Sequence, residues 1–163
     1  MYTSAMISEI INKELEGWIE KIRKNLENSK SGRRTNASCR ASKSLRVVED
    51  GNRFSIMAVD YFTHTERGYD GKNPPAPIDF AEKLFQWSKD KQIAFESDDM
   101  RMSFATLLAK RIKKRGTLLY QEGGTTEIYT DVIDEGLPIL ERKVKDGFSK
   151  QIKILLDERN STN

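Results

Sequence analysis

The side chains best suited to catalytic chemistry are a single histidine, His64, a single cysteine, Cys39, and two carboxylates, Asp60 and Glu66. A nucleophile needs a base within hydrogen-bonding reach, and a histidine beside acids can supply one. Asp60, His64 and Glu66 are separated by even numbers of residues, which places them on one side of a strand. A solvated sheet edge explains that spacing equally well, and a cysteine in a serine-rich stretch is typical of an inert exposed thiol. We therefore expect no catalytic residues and no enzymatic activity.

Two further motifs contain the residue types of a metal or phosphate site. Asp98 and Asp99 are adjacent carboxylates, but helix capping explains such a pair and no histidine stands near it. Gly123 and Gly124 lack the following Lys-Ser or Lys-Thr of a phosphate-binding loop, so they predict a turn. One cysteine excludes an intrachain disulfide and a multi-cysteine cluster, and indicates a reducing compartment. We expect no metal and no cofactor.

Positive charge is concentrated in two stretches. The first contains no acidic residue between Glu27 and Glu49, and its cations are Lys30, Arg33, Arg34, Arg40, Lys43 and Arg46. The second crowds one predicted helix end and consists of Lys110, Arg111, Lys113, Lys114 and Arg115. A mobile arm of one sign can contact phosphates or an acidic protein surface. For the helix end, complementation of the helix dipole is the simpler explanation.

Composition limits the class of protein. A chain of 163 residues predicts a single domain, and 37% apolar with 33% charged residues predicts a modest core under a polar surface. The net charge of +3 arises from 28 basic and 25 acidic residues, which argues against a dedicated nucleic-acid binder. No apolar run reaches the ~18 residues of a membrane span, and the first residues are too charged for a secretory signal peptide. We expect neither membrane contact nor export by that route.

An α+β fold must position these side chains. We expect a small antiparallel sheet built on a hairpin, packed by three or four helices including a long C-terminal one. Apolar steps of four or seven predict a first amphipathic helix over 4–28, capped by Ser4. The small, polar and basic stretch 29–42 predicts a flexible loop, and we expect 159–163 to fray.

Three helices follow the hairpin. Prolines delay the first of them until about residue 78, and it ends near 91. The acidic pair caps the second, which stops at Gly116. Two short β-prone pieces around Gly123-Gly124 predict a mobile hairpin over 117–130. The last helix covers about 131–159, and Pro138 should either kink it or be the first position of a helix that starts again there. Its apolar stripe consists of Ile133, Leu137, Leu140, Val144, Phe148, Ile152 and Leu155.

The hairpin carries the strongest local signal. Asp50-Gly51 between two β-rich runs predicts a type I′ turn, with Val47 opposite Phe54 and Leu45 opposite Ile56. The other face of the second strand carries Met57, Val59 and Tyr61, so we expect a helix, a third strand or a neighbouring subunit to cover it. The predicted core consists of Leu45, Val47, Phe54, Ile56, Leu84, Phe104, Leu108 and Ile112.

A proline-braced loop before the aromatic helix of Trp87 offers a further rigid edge for docking. The candidate contacts to a neighbouring subunit or to DNA are therefore Arg33, Arg34, Arg40, Lys43, Met57, Val59, Tyr61, Trp87, Lys110, Arg111 and Lys114.

The order of segments over residues 4–158 resembles a known family. After an N-terminal helix come SLR (44–46), DYFTHTERG (60–68), GKNPP (71–75), FQW (85–87), FATLLAKRIKKRGT (104–117), IYTDV (128–132) and a long terminal helix. This series is similar to the tail-completion, neck or minor tail proteins of tailed bacteriophages.

The resemblance implies a virion structural protein without enzymatic activity, assembled in the host cytoplasm as a ring between the head connector and the tail. Its partners would be copies of itself, the portal or connector proteins and the tail proteins. A basic lumen would make non-specific contact with packaged DNA. Two alternatives remain open: a small intracellular nucleic-acid-binding module that uses the basic arm, and an enzyme with an unrecognised site.

Overall fold

The chain folds as predicted into an α+β structure with one hairpin and a long C-terminal helix. The computed structural model describes residues 2–28, 39–72, 76–125 and 127–161. Its elements are α1 (Tyr2–Glu27), α2 (Arg40–Ser44), β1 (Arg46–Asp50), β2 (Arg53–Met57), α3 (His64–Arg67), α4 (Phe80–Asp90), α5 (Asp98–Arg115), α6 (Leu118–Gln121) and α7 (Thr130–Ser161). Within these ranges the sheet is the antiparallel pair of β1 and β2.

The main core lies where α1 meets the hairpin and the start of α7. Its buried residues are Leu15, Trp18, Ile19, Ile22, Leu26, Ala41, Leu45, Phe62, Ile128 and Val132. On α1 they recur at steps of three and four, so the predicted amphipathic helix is confirmed. The helix begins at Tyr2, which places Ser4 inside it and makes the predicted cap wrong.

Helix α7 packs on α1 through its small residues. A Cβ added at Gly136 would overlap the indole of Trp18, and one at Gly147 would lie 2.9 Å from the Cδ1 atoms of Ile7 and Ile10. Since later residues of α7 meet earlier residues of α1, the two helices are antiparallel. An ion pair of Lys143 with Glu14 flanks the seam.

The hairpin pairs in a register shifted by two residues from the prediction. Val47 lies opposite Ile56 and Glu49 opposite Phe54, and the turn residues are Gly51 and Asn52. Gly51 has φ +59° and Asn52 has no positive φ, which fits a type II′ turn with glycine first. A shift of two keeps each side chain on its face, so the predicted core side is unchanged.

The predicted loop 29–42 is wrong at its end, because α2 covers its last residues and buries Ala41 and Ser42. Residues 29–38 lie outside the described residues. The adjoining hairpin is tied to α1 through Glu49, which accepts hydrogen bonds from Ser8 and from Asn12 Nδ2 at 2.9 Å. These donors lower the pKa of the Glu49 carboxyl. At the other end of the chain, α7 continues to Ser161, beyond the predicted end at 159.

Helices α4 and α5 form a second packed pair. Ala105, Ala109 and Ile112 are the buried residues of α5, and Ser88 is fully buried on α4. Of the predicted core, Leu45 and Ile112 are buried, Phe104 is exposed, and Val47, Phe54, Ile56, Leu84 and Leu108 are half-buried. The alanines allow the two helices to approach closely, and Phe104 is thereby left outside their contact.

The N-terminus of α5 differs from the prediction. Ser97 is the cap, and its hydroxyl accepts a hydrogen bond from Met100 N at 3.2 Å, while Asp98 and Asp99 occupy the first turn. Asp98 pairs with Lys89, whose hydrogen bond is the main cause of a lowered pKa of that carboxyl. Gly116 ends the helix as predicted, with φ +76°.

The segment around Glu66 is not a sheet edge. Glu66 lies in α3, is 1% exposed, and accepts hydrogen bonds at Oε2 from Tyr129 N (2.8 Å) and Thr130 N (3.2 Å). Its carbonyl accepts from Thr125 N at 2.9 Å, while α6 occupies part of 117–130, so the predicted hairpin there is wrong. Burial, and then the charge of Glu66, raises the pKa of Tyr129.

We expect opposite effects from two glycine-to-alanine changes. Gly136→Ala should destabilise the fold by about 1–3 kcal/mol, since its methyl group overlaps Trp18. Gly17→Ala, on α1 with open space around it, should stabilise by up to ~1 kcal/mol through helix propensity. Urea unfolding of both variants measures this, and equal effects would contradict the close seam.

Removing the Glu66 carboxylate should loosen the start of α7. Glu66→Ala leaves two backbone N–H groups without their acceptor, and we expect a loss of about 2–4 kcal/mol. Exposed Glu16 on α1 is the matched control, and Glu16→Ala should change stability by less than ~0.5 kcal/mol. The denaturant midpoints of the two variants measure these losses of stability. Similar losses in both variants would refute this role of Glu66.

Candidate functional site

Two of the residues considered for catalysis, His64 and Glu66, have structural partners in the fold. His64 Nδ1 lies 3.2 Å from the carbonyl oxygen of Gly68, and its ring centroid is 4.9 Å from that of Tyr69. Glu66 holds the start of α7, and Cys39 and Asp60 are exposed. Over the described ranges no three His, Cys, Asp or Glu side chains come together as a metal site. None of the described helices is long and apolar enough to span a membrane.

The basic arm is only partly described. Arg33 and Arg34 lie outside the described residues, while Arg40 and Lys43 are exposed on α2. The second basic group lies on the last two turns of α5, where Lys110, Arg111, Lys114 and Arg115 line an open groove of about 440 Å³. None of these four forms an ion pair with a residue of the described ranges.

The second face of strand β2, predicted to be covered, is only partly as expected. β2 ends at Met57, so Val59 and Tyr61 follow the strand rather than lie on it. Val59 is half-buried against the core, whereas Met57 and Tyr61 are exposed. Among the described residues the sheet has no third strand that could cover this face, and coverage by a neighbouring subunit stays a prediction. Trp87 is exposed on α4.

An exposed face of α5 lies opposite its contact with α4. We call it the α5 row: it consists of Met100, Phe104, Leu107, Arg111 and Lys114, at steps of four and three. Leu107 is 67% exposed, and Phe104 contacts Phe95 with ring centroids 5.2 Å apart. The row is therefore apolar in its first half and basic in its second.

A second exposed face follows α7. We call it the α7 row: it consists of Asp134, Leu137, Glu141, Val144, Phe148, Ile152 and Leu155, again at steps of three and four. The seam with α1 is formed by Val132, Gly136, Gly147 and Gln151. Most of the predicted apolar stripe consequently lies beside the seam, and Ile152 is 57% exposed. The first part of the α7 row carries Asp134 and Glu141 with Leu137 between them, and its second part is apolar.

Sequence reasoning found the basic helix end but missed the α5 row, because Phe104 was assigned to the core. The alanines at 105 and 109 were the available signal, since small residues at helical spacing mark close helix packing. Comparisons with protein-family models, with curated proteins and with solved structures gave no match. The two rows must therefore be interpreted from their own chemistry. Exposed apolar faces of this kind, bordered by charge, are typical of protein–protein contacts.

Folding alone does not explain the basic end of α5. The helix dipole favours cations in the last turn only, whereas Lys110 lies a turn earlier and repels Lys114 at i,i+4. We expect the double change Lys110→Gln and Lys114→Gln to alter the free energy of unfolding by no more than ~0.5 kcal/mol. Thermal and urea unfolding measure it. A loss above ~1 kcal/mol would mean that these cations serve the fold.

Proposed function

We propose that this chain is a structural subunit of a ring in the neck or tail-completion region of a tailed bacteriophage, where it links the head connector to the tail. Its partners in this role are further copies of itself and the adjoining connector and tail proteins. The order of motifs over residues 4–158 supports the class of protein. The observation that carries the assembly role is the exposed apolar part of the α7 row.

A ring places particular demands on its subunit. Each copy needs two different surfaces, because one surface meets a different surface of the next copy. The α5 row and the α7 row satisfy this requirement, since α5 packs on α4 while α7 packs on α1. Burying side chains such as Leu107 and Ile152 at a contact removes apolar area from water, worth ~25 cal/mol per Å².

The alternative is a nucleic-acid-binding module, favoured by the groove of four cations at the end of α5. Contacts of that kind weaken steeply between about 50 and 200 mM salt, because they depend on counterion release. An apolar contact between subunits persists under the same change. Salt dependence of binding therefore separates the two functions.

The ring function predicts that the protein remains in purified phage particles after high-salt washing, as detected by mass spectrometry. Ile152→Glu should abolish incorporation while the subunit still folds, because a charge is buried in the contact. Ser149→Glu adds the same charge at a neighbouring exposed position off the α7 row and should be incorporated normally. Absence of the unaltered protein from washed particles would refute the proposal.

A further inference from the structure

We infer that neighbouring copies are joined by the α5 row of one copy lying antiparallel on the α7 row of the next. This inference rests on the proposed ring function and names the contact that builds the ring. Both surfaces belong to well-packed helices, so neither needs to refold on association. The occupant of each row is thus a second copy of this chain.

The apolar parts of the two rows match in spacing. In the direction of the chain, the α5 row presents Met100, Phe104 and Leu107. Against that direction, the α7 row presents side chains of similar size at nearly the same steps: Ile152, Phe148 and Val144. Both sets cover about two helical turns, or ~10 Å at 1.5 Å per residue. An antiparallel contact therefore places apolar side chains against apolar side chains throughout.

The charged parts match in the same register. One step beyond Leu107 the α5 row carries Arg111, and one step beyond Val144 the α7 row carries Glu141. A further step brings Lys114 level with Leu137, and Asp134 lies one step beyond it, in the next turn of α7. Opposite charges thus close the same end of the contact. All four side chains are exposed within the subunit and are available for pairing.

The charges also select the orientation. In a parallel contact Leu107 against Val144 would bring Phe104 opposite Glu141 and Arg111 opposite Phe148. Glu141 would then be desolvated against an aromatic ring without a cation beside it, which is unfavourable, and Arg111 would lose its carboxylate partner. Complementary charges at an interface set its register and orientation in this way.

Contact with a second copy accounts for more of the exposed side chains of the α5 row than contact with nucleic acid does. A phosphate backbone would pair with Arg111 and Lys114 but leave Met100, Phe104 and Leu107 in water. Among the described residues, the lining of the groove around the cations contains no aromatic side chain on which a base could stack. Contact with the α7 row covers both halves of the surface.

A charge exchange tests the contact directly. Arg111→Glu and Glu141→Arg should each weaken self-association by about tenfold or more, and the double variant should recover most of the affinity because the pair is restored with reversed sign. Sedimentation velocity over a wide range of protein concentration measures the association of each variant. Lys113→Glu and Glu135→Arg are the controls, since they make the same charge changes on the same helices away from both rows, and both should associate like the unaltered protein.

Complementation tests the head-to-tail arrangement. Leu107→Glu retains a sound α7 row and Ile152→Glu a sound α5 row, so each alone should be monomeric and an equimolar mixture should form a dimer that cannot grow. A mixture that stays monomeric would overturn the contact. The contact would also be overturned if the Arg111→Glu, Glu141→Arg double variant did not recover affinity, or if the control variants weakened association as much as the single variants do. It would be overturned as well if the unaltered protein were monomeric at every concentration.

Two further results separate the contact from the function. Unaltered protein present in washed particles, with the double exchange variant excluded from them, would overturn the contact and leave the ring function standing. The second result concerns duplex DNA. If DNA binds the unaltered protein, and if Arg111→Glu and the double variant lose this binding equally, the basic end of α5 is assigned to nucleic acid and the contact is overturned.

Discussion

The described fold depends on a buried carboxylate at the start of its longest helix. Glu66 is 1% exposed and accepts the N–H groups of Tyr129 and Thr130, which have no acceptor within α7. A buried charge is tolerated only where partners and local dipoles compensate for lost hydration, and the positive end of a helix provides both. Glu66 lies more than sixty residues before α7 in the chain, so this contact ties α3 to the start of α7.

The close contact of α7 with α1 at Gly136 and Gly147 then determines which side chains of α7 stay exposed. Gly136 and Gly147 bring α7 so close to α1 that the larger side chains of α7 cannot lie between the two helices. Phe148, Ile152 and Leu155 are displaced to the side, where about half of each side chain is exposed. On α5 the same effect follows from Ala105 and Ala109, which occupy the contact with α4 and leave Leu107 outside. Tight packing through small residues thus produces two rows of apolar side chains that lie largely outside the core of the chain.

The sequence predicts the positions of the long helices well, but it predicts poorly which face of α5 is buried. Helical periodicity identified α1, α4, α5 and α7 within a few residues, because that pattern depends on local geometry alone. The turn at Gly51 was displaced by one position, since both turn types accept glycine and the choice depends on the cross-strand contacts. Glu66 could not be found in this way, because its partners at 129 and 130 are remote in sequence and a buried glutamate has no periodic signal.

The same reasoning explains why burial on α5 was misjudged. A large apolar residue is a better hydrophobic group than alanine, so composition assigns Phe104 to the core. Close helix contacts reverse that order, because a small side chain allows many backbone and neighbouring atoms to approach. The displaced residues do not stabilise the monomer as core residues would. They form evenly spaced rows that carry opposite charges, an arrangement that the inferred contact between neighbouring copies would explain.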